Sequence, residues 1–263
     1  MAILKLLFVP NQYISWRAQI TLIVGEVVAV SCFWWNSPTV FVPSLPDVAK
    51  AFGLLWNEKG LSHELGTSLL LILDAMFWMI VVSSAICYLY LLNFFRPLAK
   101  FIGAFRFLST VGLGLLVNVY LNDPHSKKVA LMVFFMVAVF VPSFIVEINK
   151  IPAQKYHLAR TLRMSEWGAV NEVVVRGQLS KFIDCVLLSS SMGFMLLTMV
   201  ERMFREEGGV GAMLSDQEKY FSVDSIWAIQ LSLMCLGLGV LDILGTRFNR
   251  WVCKYAYMKL ERR

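Results

Sequence analysis

Apolar stretches of close to twenty positions alternate along this chain with short polar segments. A helix needs about 20 predominantly apolar residues to cross the hydrocarbon core of a bilayer. By that measure the runs 18–35, 66–92, 101–121, 128–147, 181–200 and 225–245 predict about six transmembrane helices. The second is long enough to tilt or to project beyond the membrane. The third is rich in Gly and carries Arg106 near its start. A different pattern follows Pro38, Pro43 and Pro46, where Val48, Ala51, Phe52 and Leu55 recur at helical spacing. That predicts a short amphipathic helix at the outer interface, with Asp47 in its first turn. The acid-rich segment 201–224, with Gly208, Gly209 and Gly211, reads as a surface turn.

Composition supports the membrane reading. Of 263 residues, 58% are hydrophobic and 16% charged, where a soluble domain carries about 25% charge. Mean hydropathy is +0.65. The predicted fold class is all-α, a polytopic membrane protein. Lys and Arg then set its orientation. One set of segments holds Lys5, Arg17, Arg96, Lys100, Lys150, Lys155, Arg160, Arg163, Arg176, Lys181, Arg247, Arg250, Lys254, Lys259, Arg262 and Arg263. The opposite set holds only Lys50, Lys59, Lys127, Lys128, Arg202, Arg205 and Lys219. The richer side is expected in the cytoplasm, with both termini there. The organisation is an N-terminal segment 1–17, one transmembrane domain 18–255, and a basic tail 256–263. Arg17 before the first apolar run reads as an anchor flank, not a cleavable signal.

The net charge of +6 lies between apolar runs and forms no basic module, so no nucleic-acid partner is expected. Five scattered Cys with no CxxC, and His63, His125 and His157 in three different loops, predict no metal site. Each His reads as a solvated loop residue.

Candidate polar groups at membrane depth are Glu26, Asp74, Asp184 and Asp242. Asp184 and Asp242 lie near span ends, within reach of Lys181 and Arg247. Glu26 and Asp74 sit deeper and are candidates for a pathway or helix contact, because burying such groups is costly. Ser189, Ser190 and Ser191 form a polar cluster without a His or paired acid. Packing or pore lining fits them better than catalysis, and no catalytic residues are expected. A proton-coupled secondary carrier should show paired repeats with broken helices; no repeat is visible and only Pro142 interrupts a span.

The long inner segment 148–180 is helix-compatible from Ala153 to Val175, with an interruption near Ser165. Two short helices meeting at a turn outside the membrane are predicted. Leu158, Leu162 and Trp167 supply apolar knobs there, and Arg160, Arg163, Glu166 and Glu172 polar ones. Such a turn suits a groove on a partner protein. The alternative is a helix lying on the headgroups.

The stretch HLARTLRMSEWGAVNEVVVRGQL, His157 to Leu179, resembles the cytoplasmic loop of bacterial ABC-importer permeases of the nitrate/sulfonate/taurine branch. In that branch the pattern runs E-A-A-R-S-L-G-A-S-x-W, then a helix and L-P. Ala159, Arg160, Leu162, Ser165, Trp167 and Leu179 match in register, with Thr161 a close substitute. Departures are His157 for the acid, Leu158 for the first Ala, Arg163 for the Gly and Arg176 for the Pro. The branch is also similar in an S-x-P-x-V-x-x-A segment, here Ser44 to Ala51, and in a small-residue opening of the second span at Gly66-Thr67-Ser68. Arg96-Pro97-Leu98, Ser126-Lys127, and Glu201 with the turn Gly208 to Gly211 follow in order. The likeness covers most of 38–255.

The resemblance implies a type I importer permease in the bacterial cytoplasmic (inner) membrane. Implied partners are two ABC ATPase subunits, a second permease chain, the same or different, and an extracytoplasmic solute-binding protein. ATP and Mg would be bound by the ATPases, since no GxxxxGK[ST] occurs here. The implied coupling residues are His157, Ala159, Arg160, Leu162, Arg163, Met164, Ser165, Glu166 and Trp167. The solute would be a small anion of nitrate, sulfonate or bicarbonate type. Alternatives are an ion-coupled secondary carrier, or a divergent accessory permease beside a more typical one. Arg163 adopts positive φ less cheaply than Gly, so this turn is where the chain should differ from the family.

Overall fold

The computed structural model describes residues 16–36 and 43–254, without the side chains of residues 16–18, 30, 33, 36 and 242. The basic tail 256–263 and nearly all of the segment 1–17 therefore lie outside the described residues. The described chain is all-helical: α1 (Trp16–Asn36), α2 (Leu45–Asn57), α3 (Leu61–Tyr90), α4 (Arg96–Ile102), α5 (Thr110–Tyr120), α6 (Pro124–Asn149), α7 (Ala153–Thr161), α8 (Glu166–Val170), α9 (Leu179–Met203), α10 (Val210–Lys219), α11 (Val223–Gly237) and α12 (Thr246–Val252). A π-helical turn, Leu238–Gly245, joins α11 to α12, and another, Asn171–Arg176, leads toward α9.

Four helical runs are long and apolar enough to cross a membrane: α3, α6, α9 and the composite Val223–Val252. They enclose the predicted spans 66–92, 128–147, 181–200 and 225–245 almost end for end. Their shared core is made by Leu71, Ile72, Ala75 and Met79 of α3, by Met132, Met136, Phe140 and Val141 of α6, and by Val186, Leu197 and Val200 of α9. Small residues allow close approach: Gly193 of α9 faces Met136, and Gly245 faces Leu187.

The predicted span 101–121 is corrected. It is not one helix but a bent pair, 93–107 and Thr110–Tyr120, meeting at 106°. Leu108 and Ser109 take extended backbone angles, and the aromatic stack of Phe105 on Phe134, ring centroids 5.2 Å apart, fixes where the first half ends. Gly103 lies so close to the Pro142 ring that a Cβ would stand 2.9 Å from it. Chain direction makes this bent pair a crossing. Asp74 of α3 meets His125 at the start of α6, while Tyr90 meets Asn149 at their ends. The two helices thus run parallel, and residues 91–123 must return from one face to the other. α9 is antiparallel to both, since Ser68 bonds Glu201. α12 comes back beside the start of α9, where Asn249 donates to the Ser180 carbonyl at 3.3 Å.

Of the six predicted spans, four are helical runs long and apolar enough to cross a membrane, and the bent pair makes five candidates if it counts as one, among the described residues. The run at 18–35 forms α1, a helix of 21 residues whose side chains are described continuously over Gln19–Ala29. α1 stands away from the bundle, its Ile20, Ile23, Val24, Val27 and Val28 exposed. It is anchored at one end by Trp34, whose indole donates to the Pro43 carbonyl at 2.7 Å and lies 5.4 Å from Trp227. α2 is the predicted interfacial helix. Val48, Ala51 and Leu55 are buried, Asp47 lies in its first turn, and Phe52 turns out to stack on Trp56.

Candidate functional site

The two ends of the bundle carry contrasting constellations. At one end, here the loop end, α6 passes into α7 and α8. Pro152 starts α7, and Ser165 caps α8 by accepting from the Gly168 N–H at 3.1 Å. Between them Arg163 takes a positive φ of 56°. The predicted pair of short helices meeting at a turn is therefore present, interrupted at Leu162–Ser165. The turn is tied by Arg160, whose guanidinium donates to both carboxyl oxygens of Glu166 at 3.1 Å each. Ala159 is buried against Ala169 and Val173, so it packs the turn rather than facing outward. Leu158 and Leu162 are each 63% exposed, Trp167 52%, and Met164 is exposed as well. Trp167 stacks on Tyr88 of α3 at 5.5 Å, which links the turn directly to a spanning helix. His157 is exposed.

The opposite end, the turn end, is closed by a buried polar network. Glu201, near the end of α9, is fully buried. One of its oxygens accepts from Ser68 of α3 at 2.5 Å, the other from the Gly211 N–H at 2.7 Å. Ser68 in turn accepts from the Val210 N–H at 3.0 Å, and Glu64 accepts from the Gly209 N–H at 2.5 Å. Two carboxylates thus satisfy the free N–H groups at the start of α10, where the helix dipole also favours negative charge. Lys128, 1% exposed, donates to the Gly208 carbonyl at 3.2 Å and lies 3.5 Å from Glu207. The sharp turn needs glycine: Gly209 has φ 108°, and a Cβ there would overlap the Glu201 carboxyl. Every carboxylate oxygen of Glu201 is engaged by a donor. The arrangement holds backbone in place and presents no free nucleophile or base.

Sequence reasoning named Glu201 and the glycine turn. It missed Lys128 and Glu64, because a basic loop residue and a first-turn acid look solvated until their neighbours are known. His125 is half-exposed, but it lies in the first turn of α6 rather than in a loop, between Asp74, 3.1 Å from Nε2, and Glu207, 3.6 Å from Nδ1. Asp74, near the middle of the 30-residue α3, makes through His125 a contact with the start of α6.

The remaining candidates are dispersed. Ser189 and Ser190 are buried in α9. Ser190 donates to the Val186 carbonyl at 2.8 Å, while the Ser189 hydroxyl has no partner among the described residues. Beside them an open groove of about 490 Å³ runs between α9 and α11, lined by Ser191, Met195, Thr198, Gln230 and Met234. Asp184 pairs with Lys181 at 3.3 Å, as its position near a span end predicts, and accepts from Asn249 at 2.6 Å. The Asp242 side chain lies outside the described residues. Glu26 is exposed on α1. No group of His, Cys, Asp and Glu suited to a metal occurs among the described residues.

Comparison with protein-family models returns no match, and no curated protein matches at a significant level. The functional reading therefore rests on the residues and their geometry.

Proposed function

We propose that this chain is the membrane permease subunit of an ATP-driven importer of the ABC type, and that the turn at 157–167 is its coupling device. One observation carries the reading. A helix–turn–helix outside the spans presents Leu158, Leu162 and Met164 to solvent while Trp167 behind them stacks on Tyr88 of α3. An apolar knob of this kind suits a groove on a partner, and the stack offers a rigid path from that knob into a span. Arg163 adds a second support. Its φ of 56° is the left-handed conformation for which glycine is best suited, at the position where the permeases it resembles carry glycine.

On this reading two ATPase subunits bind ATP and Mg and dock on the turns of two membrane chains, and a binding protein outside delivers a small anion of nitrate, sulfonate or bicarbonate type. The chain itself performs no bond chemistry. The groove between α9 and α11, with Ser191, Thr198 and Gln230 among methionines, supplies polar contacts at membrane depth suited to a pathway wall.

The test is Leu162→Asp combined with Trp167→Ala in the native operon context. The double variant is expected at parental level in the membrane, with the ATPase absent from its affinity-purified complex and uptake lost. Undiminished recovery of an ATPase would overturn the coupling assignment. Absence of any ATPase from the parental complex would overturn the importer reading.

A further inference from the structure

Beside the buried network of the turn end stands a polar cavity of about 340 Å³, between the α2–α3 connection, the turn before α10 and α10 itself. Lys59, Glu64, Arg205, Asp216 and Gln217 line its polar side, and Ala212 and Met213 an apolar one. Small-molecule sites span about 300–1,000 Å³ and set a few polar groups against apolar lining. A cavity of this size suits a ligand of only a few heavy atoms. Lys59 and Arg205 are exposed, so the site is open to solvent.

The hydrogen bonds around Gln217 decide the sign of that ligand. Gln217 is 5% exposed, and its Oε1 accepts from Lys59 Nζ and from the Ser222 hydroxyl, each at 3.1 Å. An ammonium group only donates, so Lys59 fixes the amide with its oxygen toward Nζ and leaves the two N–H donors of Nε2 over. No described residue accepts from them, and a buried donor without a partner is costly. Lys59 forms no ion pair with a described residue. The two acids of the lining are already engaged. Asp216 accepts from Arg205 and Lys219, and Glu64 accepts from the Gly209 N–H. What the cavity has in excess is therefore N–H donors and one positive charge, held side by side because one amide carries both the oxygen on Lys59 and the free Nε2. We infer that this cavity binds a short organic carboxylate. Its two oxygens match two adjacent donors, and bonds from an ammonium to a carboxylate are among the strong ones. One oxygen accepts from Gln217 Nε2 and the other from Lys59, while the aliphatic part lies on Ala212 and Met213. Bound there, the ligand ties the α2–α3 connection to α10. The site is separate from the coupling turn and from the groove between α9 and α11, so its test does not depend on the importer reading.

The melting temperature of the detergent-purified chain is followed as sodium butyrate replaces sodium chloride at constant ionic strength. A saturable rise is expected, about 3–6 °C at ten times the half-saturating concentration. Nitrate is planar and singly charged but has no aliphatic part, and is expected to bind at least about tenfold more weakly. Lys59→Met, at an exposed position, should fold normally and raise the half-saturating butyrate concentration at least about tenfold. Gln217→Glu gives Lys59 an internal counter-ion and removes the amide donors. That variant is expected to melt no lower than the parent without butyrate and to lose the response to it. The inference is overturned by a parent that does not respond, by nitrate acting as strongly as butyrate, or by either variant responding as the parent does.

Discussion

The two ends of the bundle use charge in opposite ways. At the turn end, Glu201 and Lys128 are buried and their polar atoms are consumed by Ser68, by the backbone of Gly208 and Gly211, and by Glu207. At the loop end, Arg160 and Glu166 pair in the open, Arg163 sits in an unfavourable backbone region, and Leu162 is largely exposed. The first arrangement spends its polar groups on holding the chain. The second leaves apolar surface exposed and local strain in place. A stable structure carries such strain only where its surroundings enforce it.

The comparison breaks most visibly at Glu201. Glu201→Ala removes a carboxylate accepting two hydrogen bonds and strands the Ser68 hydroxyl and the Gly211 N–H. A loss of about 3–5 kcal/mol is expected from bonds to a charged group, read as a large fall in the melting temperature of the detergent-purified chain. A variant as stable as the parent would show that the network is not what closes this end. Gly209→Ala comes next. Its φ of 108° and the overlap with Glu201 should cost about 2–3 kcal/mol, combining backbone strain with overpacking; the same melting measurement checks it.

At the loop end the sign reverses. Arg163→Gly relieves the left-handed strain and is expected to stabilise by about 0.5–1 kcal/mol, after the added freedom of glycine in the unfolded chain is subtracted. If the melting temperature falls instead, Arg163 makes a contact that outweighs its backbone cost. The smallest effect is set by pH. Asp216 on α10 is held below the usual carboxylate range chiefly by its hydrogen bond from Arg205. A depressed pKa contributes stability above the ordinary carboxylate value of about 4, and that contribution disappears as pH falls through the folded value. The pair is exposed, so Asp216→Asn should change stability by no more than about 0.5 kcal/mol at neutral pH. The difference between variant and parent should vanish in acid, which melting curves from pH 7 to pH 3 will show.

Much of this was legible from residues alone, for identifiable reasons. The four long apolar helices follow from run length, because hydrocarbon thickness sets the length of a spanning helix whatever the packing. The break near Ser165 was also expected, and the structure shows that Ser165 caps the second helix. Arg163 was marked as anomalous before its φ was known. The bend after Arg106 was not legible: an apolar run states that a segment is in the membrane, not which way it points. Nor were Lys128 and His125. Both lie within about one turn of Pro124 at a helix start, where sequence suggests solvent, and only the fold of the turn 204–211 over them makes one buried and places the other between two acids.

What the amino-acid order determined by itself is the solvent: a chain with 58% hydrophobic residues and 16% charged ones has too little polar surface for water, and its Lys and Arg gather between particular runs. That property is summed along the chain and needs no knowledge of neighbours. What the tertiary structure decided is pairing. Whether Glu201 is clamped or Asp74 joined to His125 depends on residues 10 to 133 positions away meeting at one level. Helical periodicity carries no record of such distances, because spans that are apolar all round can turn any face toward one another.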